Sequence, residues 1–493
     1  MKLHYSKNEF WHDFLASLVV FLVALPLCLG IALASGVPPI VGLMAGIIGG
    51  LVVGTFTGSP LQVSGPAAGL AVMVYEVVQV HGLEALGIVC LIAGLVQVAG
   101  YFLKLGNYFK AVSPAVVKGM LSGIGLLIFA SQFHVMLDHA PKSSGTQNLI
   151  TIPEAFIDIF GASFPIQHMQ AATIGLITLI ILVGWNFVKD KIKLPIPAPL
   201  IAIVSASLIA NLSGLQINYI ELPDNLLAGM NFIGLDSFGS INLDLIIAGI
   251  GMALVATTET LLCVTAVDSI KPDHKSDYDQ ELLAQGLGNS LAGIIGAMPI
   301  TGVIVRSSAN LEFGGRTRGS TIMHGLWLVA FLFLFSELLG YIPTSALAAI
   351  LVYTGYKLFD IKAFAKFSEF GKFEVFIYVA TIASIVTINL LYGVIIGYAL
   401  ALVQLIYKLN HCEVNFTEEE GALRVDIQGS MTFLSLPKLS EEIDKKLEGH
   451  TGDIYVNTKE LRFMDSASHE FLEVLNKNLG SSMKVISEDK KIA

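Results

Sequence analysis

Charge is what this chain has least of. Only 14% of its 493 residues are charged, against 54% hydrophobic, and the mean hydropathy is +0.71. A soluble chain carries roughly a quarter charged residues. The composition therefore excludes a soluble protein for most of the length and implies helices solvated by lipid or by one another. Cysteine is scarce too. Cys28, Cys90, Cys263 and Cys412 are scattered, and no pair has ligand spacing, which excludes a metal cage or a disulfide framework. No nucleophile–base constellation and no phosphate-binding glycine loop occurs, so an enzyme is not expected, nor a resident cofactor, nor a nucleic-acid partner.

What is present is long apolar runs. A membrane helix takes about 20 apolar residues. Fourteen segments qualify, some of them short or Gly/Pro-broken: 12–35, 38–56, 64–80, 83–104, 112–135, 170–189, 196–214, 244–269, 279–297, 303–313, 318–341, 343–362, 373–391 and 393–409. The first follows the polar stretch MKLHYSKNEFWHD and is long enough to be a span, so no cleavable leader is read there. Beyond Leu409 the composition turns charged with alternating apolar positions. The expected division is a transport domain over 1–410 and a small soluble domain over 411–493.

Loop charge sets orientation. With the N-terminus inside, the inner loops hold Lys104 and Lys110, Lys189, Lys191 and Lys193, Lys271 and Lys275, Arg316 and Arg318, and Lys366 and Lys372. The opposite loops hold Lys142 and little else, and 215–243 has no Lys or Arg. An even span number then places both termini in the cytoplasm. GSPLQVSGPAAGL (58–70) is echoed by GAMPITGVIVRSSAN (296–310), and VSPAVVKGMLSGIGLLI (112–128) by IPTSALAAILVYTGYKL (342–358). Seven spans per half, about 12–214 and 244–409, make the repeat inverted.

Both echoed stretches begin Gly/Pro-rich and become short helices. A helix that starts inside the membrane leaves its first N–H groups without partners, so they must face protein or a water-filled cavity. With the positive end of the helix dipole they form an anion site. Pro66 suits a first helical position. Ser64, Gly65, Ala67 and Ala68 are the candidate substrate contacts in the first half, and Val305, Arg306 and Ser307 in the second. Glu259 lies well inside the span containing ATTETLLCVTAVD, where a carboxylate costs roughly 2.5–3.5 kcal/mol and marks an ion or proton path by default. Glu76, in the third span, reads as an interface acid near a helix end. His134, in the fifth, reads as a packed or interfacial histidine.

The chain resembles the SulP (sulfate permease) family of anion transporters. The likeness rests on ALPLCLGIALASGVPPIVGL, VSGPAAGLAVMV, SPAVVKGMLSGIGLLI, ETLLCVTAVD and RSSANLEFGGRTRGS. The tail, with RFMDSASHEFLEVL, resembles a STAS domain. The resemblance implies an α-helical membrane protein of 14 segments in a 7+7 inverted repeat, divided into core and gate domains, followed by a small cytoplasmic α/β STAS domain. It implies elevator-like movement of core against gate, a homodimer in the bacterial inner membrane, and a regulatory ligand or protein at the STAS domain.

This chain departs from the family pattern at several positions. Leu27 stands where a Gln is common, Ile31 where an aromatic can follow, and Val305 where a Ser is frequent, so the pocket is more apolar and leans on backbone N–H groups. The bicarbonate carriers offer a Thr four residues after the span-eight acid, and here the pair is Glu259 and Cys263. A thiol is a poor sodium ligand, which weakens Na+ coupling and leaves H+ coupling open. Ala467 occupies the place of the serine phosphorylated in soluble STAS relatives. The expected function is cation-coupled symport of a small inorganic anion, bicarbonate ahead of sulfate or chloride. A passive anion channel, an anion exchanger and a C4-dicarboxylate/proton symporter are the alternatives.

Overall fold

Apolar runs separated by Gly, Pro and polar clusters become helices when they can bury a face, and the described residues up to Leu409 do so repeatedly. The computed structural model describes residues 6–108, 113–142, 144–158, 166–192, 196–221, 230–273, 275–410, 412–419, 422–447, 453–479 and 483–486. Lys110, Lys193 and part of the loop 215–243 from the loop-charge pattern lie outside them.

The fourteen membrane segments, among the described residues, are α1 (Lys7–Ala34), α2 (Pro39–Phe56), α3 (Ala68–His81), α4 (Leu83–Phe102), α5 (Pro114–Met136), α6 (Ile166–Ile192) and α7 (Ala198–Leu212), then α8 (Leu243–Ile270), α9 (Tyr278–Ile295), α10 (Ile304–Glu312), α11 (Arg318–Leu334), α12 (Thr344–Leu358), α13 (Lys372–Thr387) and α14 (Leu390–Leu409). The third segment begins later than its composition suggests. Ser64–Pro66 is a strand, β1, paired antiparallel with β2 (Ile300–Gly302), with Gly65 opposite Thr301. Pro66 therefore sits in a strand rather than at the first helical position, because β2 offers it an extended partner. Likewise α11 and α12 stop at Leu334 and Leu358, short of the apolar runs that contain them.

Helix packing follows the repeat. Each contact recurs when seven is added to one helix number and subtracted from the other: α4 on α9 is matched by α2 on α11, α3 on α8 by α1 on α10, α4 on α8 by α1 on α11, and α5 on α13 by α6 on α12. Two bundles result, α1–α4 with α8–α11, and α5–α7 with α12, α13 and the start of α14. Small residues permit the closest crossings. A Cβ at Gly50, in the π-type turn Gly49–Val53 of α2, would lie 2.6 Å from the Gly325 Cα of α11. One at Gly49 would lie 2.3 Å from the Ser64 carbonyl oxygen, so glycine brings α2 directly onto β1.

The chain divides into compact units Met1–Gly397 and Tyr398–Ala493. In the second unit, β3 (Cys412–Glu419) and β4 (Ala422–Met431) form an antiparallel pair. Strand β4 then pairs in parallel with β5 (Ile454–Asn457) and β6 (Leu461–Met464), and β5 with β7 (Met483–Ile486). Parallel pairing needs crossovers, which α15 (Leu436–Leu447) supplies, while α16 (Ser466–Leu479) follows β6. Alternating Leu423, Val425 and Ile427 pack with Leu439, Ile443 and Leu472. This α/β sheet is consistent with the expected STAS domain.

Candidate functional site

Strands β1 and β2 run antiparallel side by side and lead into α3 and α10, which start on Ala67 and Val303. Neither side chain can accept a hydrogen bond. In α3 the Gly69 N–H faces the Glu259 carboxyl and the Leu70 N–H bonds the Ala67 carbonyl, so the N–H groups of Ala68, Ile304 and Val305 are the ones left for another acceptor. Val305, in the first turn of α10, is 50% exposed and Ala68 is half-buried, whereas Ala67 is buried.

Arg306 is fully buried. Its Nη2 lies 3.4 Å from both Cys28 Sγ of α1 and the Pro66 carbonyl oxygen, and Nε and Nη1 have no partner among the described residues. The guanidinium is lodged against the β1 backbone: a Cβ at Gly65 would come within 2.1 Å of Nη1. Glycine at 65 is what admits the arginine there. The buried His324 of α11 has both ring nitrogens without partners among the described residues.

Glu259, on α8, reaches the start of α3. A Cβ at Gly69 would lie 2.6 Å from its Oε2, and that oxygen is buried without a hydrogen-bond partner among the described residues. An acceptor left bare in this way fits a proton or a bound cation. One turn along α8, Cys263 is buried with Sγ 3.3 Å from Ser307 Oγ, packed among Leu61, Val267 and Leu311. The Ser307 hydroxyl donates to the Val303 carbonyl and accepts from the Val63 N–H at 2.9 Å. Cys263 and Ser307 thereby tie α8, α10 and the residue that leads into β1 together. The Ser64 hydroxyl is held by Gln285 Nε2 at 2.7 Å. Leu27 and Ile31 are buried on α1.

Sequence reading missed the element that positions all of this. Helix α9 carries Glu281, Gln285 and Asn289, each fully buried, at successive i, i+4 positions. Glu281 Oε2 accepts from the Thr57 hydroxyl and the Gly58 and Ser59 N–H groups, and Oε1 from Gln62 and Gln285. Asn289 pairs with both the N–H and the carbonyl of Ile300 and donates to Gln97 of α4. One polar stripe thus fixes the approach to β1, β1 itself and the start of β2. Its signal was legible as three polar residues four apart in an otherwise small and apolar segment. Elsewhere, His134 is buried, its Nε2 3.0 Å from the Asn148 carbonyl oxygen.

Comparison with known proteins fits this architecture. Over 491 residues the chain is 26% identical to a Bacillus subtilis protein named "Putative sulfate transporter YvdB", covering 95% of this chain and 89% of that one. It is 25% identical over 428 residues to the bicarbonate transporter BicA of Picosynechococcus, covering 84% and 72%. The solved transmembrane domain of a cyanobacterial BicA superposes with a TM-score of 0.67 at 25% identity, over 80% of this chain and 98% of that one. The murine Slc26a9 anion transporter in its inward-facing state gives 0.83 at 16% identity, over 99% and 87%, a likeness of fold. Residues 10–381 match the Sulfate permease family, and the chain belongs to that family of membrane transporters.

Proposed function

We propose that this chain is a secondary active transporter of a small inorganic anion, bicarbonate first with sulfate or chloride as the other candidates, coupled to a cation and moved by an elevator-like displacement of α1–α4 and α8–α11 against the other bundle. The observation that carries the reading is the junction itself: two uncapped half-helix starts, the buried Arg306 cation and the Glu259 carboxyl meet around one strand pair.

The parts act together through charge. Arg306 faces β1 and is shut from solvent, so it works by its field and leaves direct contact to the backbone N–H groups of Ala68, Ile304 and Val305. Glu259 at the α3 start repels an anion while ionised. A cation at Glu259 cancels that repulsion, so anion and cation favour each other's binding. The thiol of Cys263 is engaged with Ser307, which favours a proton over sodium. The BicA likeness supports bicarbonate. We further assign residues 1–410 to transport and 411–493 to a STAS domain that binds a regulatory ligand or protein, with a homodimer in the inner membrane and both termini cytoplasmic.

The coupling role is tested by Glu259→Gln. The variant is expected to reach the membrane, bind anion and lose cation-dependent uptake. Unchanged uptake at every pH would remove Glu259 from the mechanism.

A further inference from the structure

A second acid lies in the membrane segments at a place the transport reading leaves unused. Glu76 is on α3, seven residues beyond Gly69, so about 10 Å up the helix from the Glu259 carboxyl. Residues 68, 72, 75 and 76 form the half-buried stripe of α3, while Leu70, Ala71, Met73, Val74 and Val77 are buried. Val72, Tyr75 and Glu76 of that stripe face a cleft of about 110 Å³ between the two bundles. Val72, Tyr75 and Glu76 line it from one side, and Ser131 of α5, Lys142, Thr387 and Asn389 from the other. Among the described residues, no donor or cation is bonded to the Glu76 carboxyl.

We propose that this cleft is an outer admission site for the transported anion, with Glu76 as the protonation switch that opens it. The proposal rests on the anion-transport reading and on cytoplasmic termini, which put the cleft on the external side. Glu76 and Lys142 are the charged side chains lining it. When Glu76 is ionised the pair sums to zero, and the carboxylate repels an anion approaching α3. When Glu76 takes a proton from the external water, Lys142 is left as net positive charge beside the Asn389 amide, while the Ser131 and Thr387 hydroxyls donate to the Ile128 and Ala383 carbonyls of their own helices. An anion is then drawn into the cleft, and the proton returns to water when the cleft empties.

Among the described residues, no titratable group of α3 or of the helices packed against it lines the cleft apart from Glu76 and Tyr75. Helix α5 brings His134, engaged with Asn148. Helix α4 brings Glu84, exposed in its first turn, and α8 brings Asp244 in its first turn and Glu259. The half-buried His81 ends α3 itself, and α1 contributes the uncharged Ala34 to the lining.

The test is initial-rate uptake by intact cells of radiolabelled bicarbonate, sulfate and chloride between external pH 6 and 8, with the bicarbonate ion held at constant concentration. Wild type is expected to show a KM that rises roughly tenfold across this range, the effect of one unit charge at close range. Glu76→Gln should hold the low-pH KM throughout, Glu76→Asp should restore the pH dependence, and Lys142→Met should raise KM at every pH. A Glu76→Gln profile as steep as wild type would overturn the switch while leaving the transport reading intact. Uptake of none of the three anions by wild type would overturn both. Should Glu76→Gln fail to accumulate, the Glu76→Asp and Lys142→Met profiles decide the matter: a Lys142→Met KM equal to wild type contradicts the site.

Discussion

Arg306 combines full burial with a charge that lacks matching acceptors. Such an arrangement is costly for folding alone and makes sense where an anion completes it. If the arginine acts through its field, charge matters more than the guanidinium fork. Arg306→Ala is expected to cut kcat/KM for the anion about a hundredfold, equivalent to about 2.7 kcal/mol, and Arg306→Lys to recover most of it. Equal loss in both variants would show that the fork itself is needed. At this scale the sequence was informative about which residues matter and uninformative about where they point. Arg306 stood out as a cation at a short-helix start, yet its direction depends on Gly65, whose missing Cβ makes the room. Ser307 and Cys263 look like ligands as letters. Their partners are each other and the Val63 N–H just before β1, and such pairing across more than forty residues leaves no local pattern.

Among the elements, α9 decides the geometry of the site without reaching it. Removing the Glu281 carboxylate strands donors from Thr57, Gly58, Ser59, Gln62 and Gln285. Glu281→Ala is expected to lower stability by about 3–5 kcal/mol, read as a fall in melting temperature of the purified protein. Asn289→Ala, which frees the Ile300 N–H and carbonyl, should cost about 1–3 kcal/mol. A pair of variants as stable as wild type would mean that the β1–β2 pairing holds itself. In the tail, Asp465 accepts from the Phe433 N–H at 2.7 Å and the Ser468 N–H at 2.8 Å, capping α16. Burial pushes its carboxyl up, but these donors outweigh that and hold it below the ordinary value. A lowered folded value makes the cap's contribution complete above the ordinary carboxylate range and lost as pH falls through the folded value. Asp465→Ala should therefore destabilise the tail by about 1 kcal/mol near neutral pH and by progressively less in acid, as urea unfolding followed at several pH values would show. Helix identity was legible because apolar length announces it. The two strands were not, since three extended residues before a short helix look the same whether or not a distant partner pairs with them.

For the whole molecule, the inverted repeat is the governing fact. It was legible as two pairs of echoed stretches and an odd number of spans per half, and it returns as a matched set of helix contacts. The same symmetry places α3 and α10 as counterparts on either side of β1–β2, so one half supplies the small-residue start beside Glu259 and the other the start beside Arg306. An anion held there is shared by both repeats, and displacement of the bundle that carries both starts would move it intact from one side of the membrane to the other. The most direct test of this account is uptake of radiolabelled bicarbonate and sulfate into proteoliposomes of the full chain, with and without an inward proton or sodium gradient. The account predicts saturable uptake of one anion driven by the proton gradient and lost in Arg306→Ala. Flux that neither saturates nor responds to any cation gradient would contradict it.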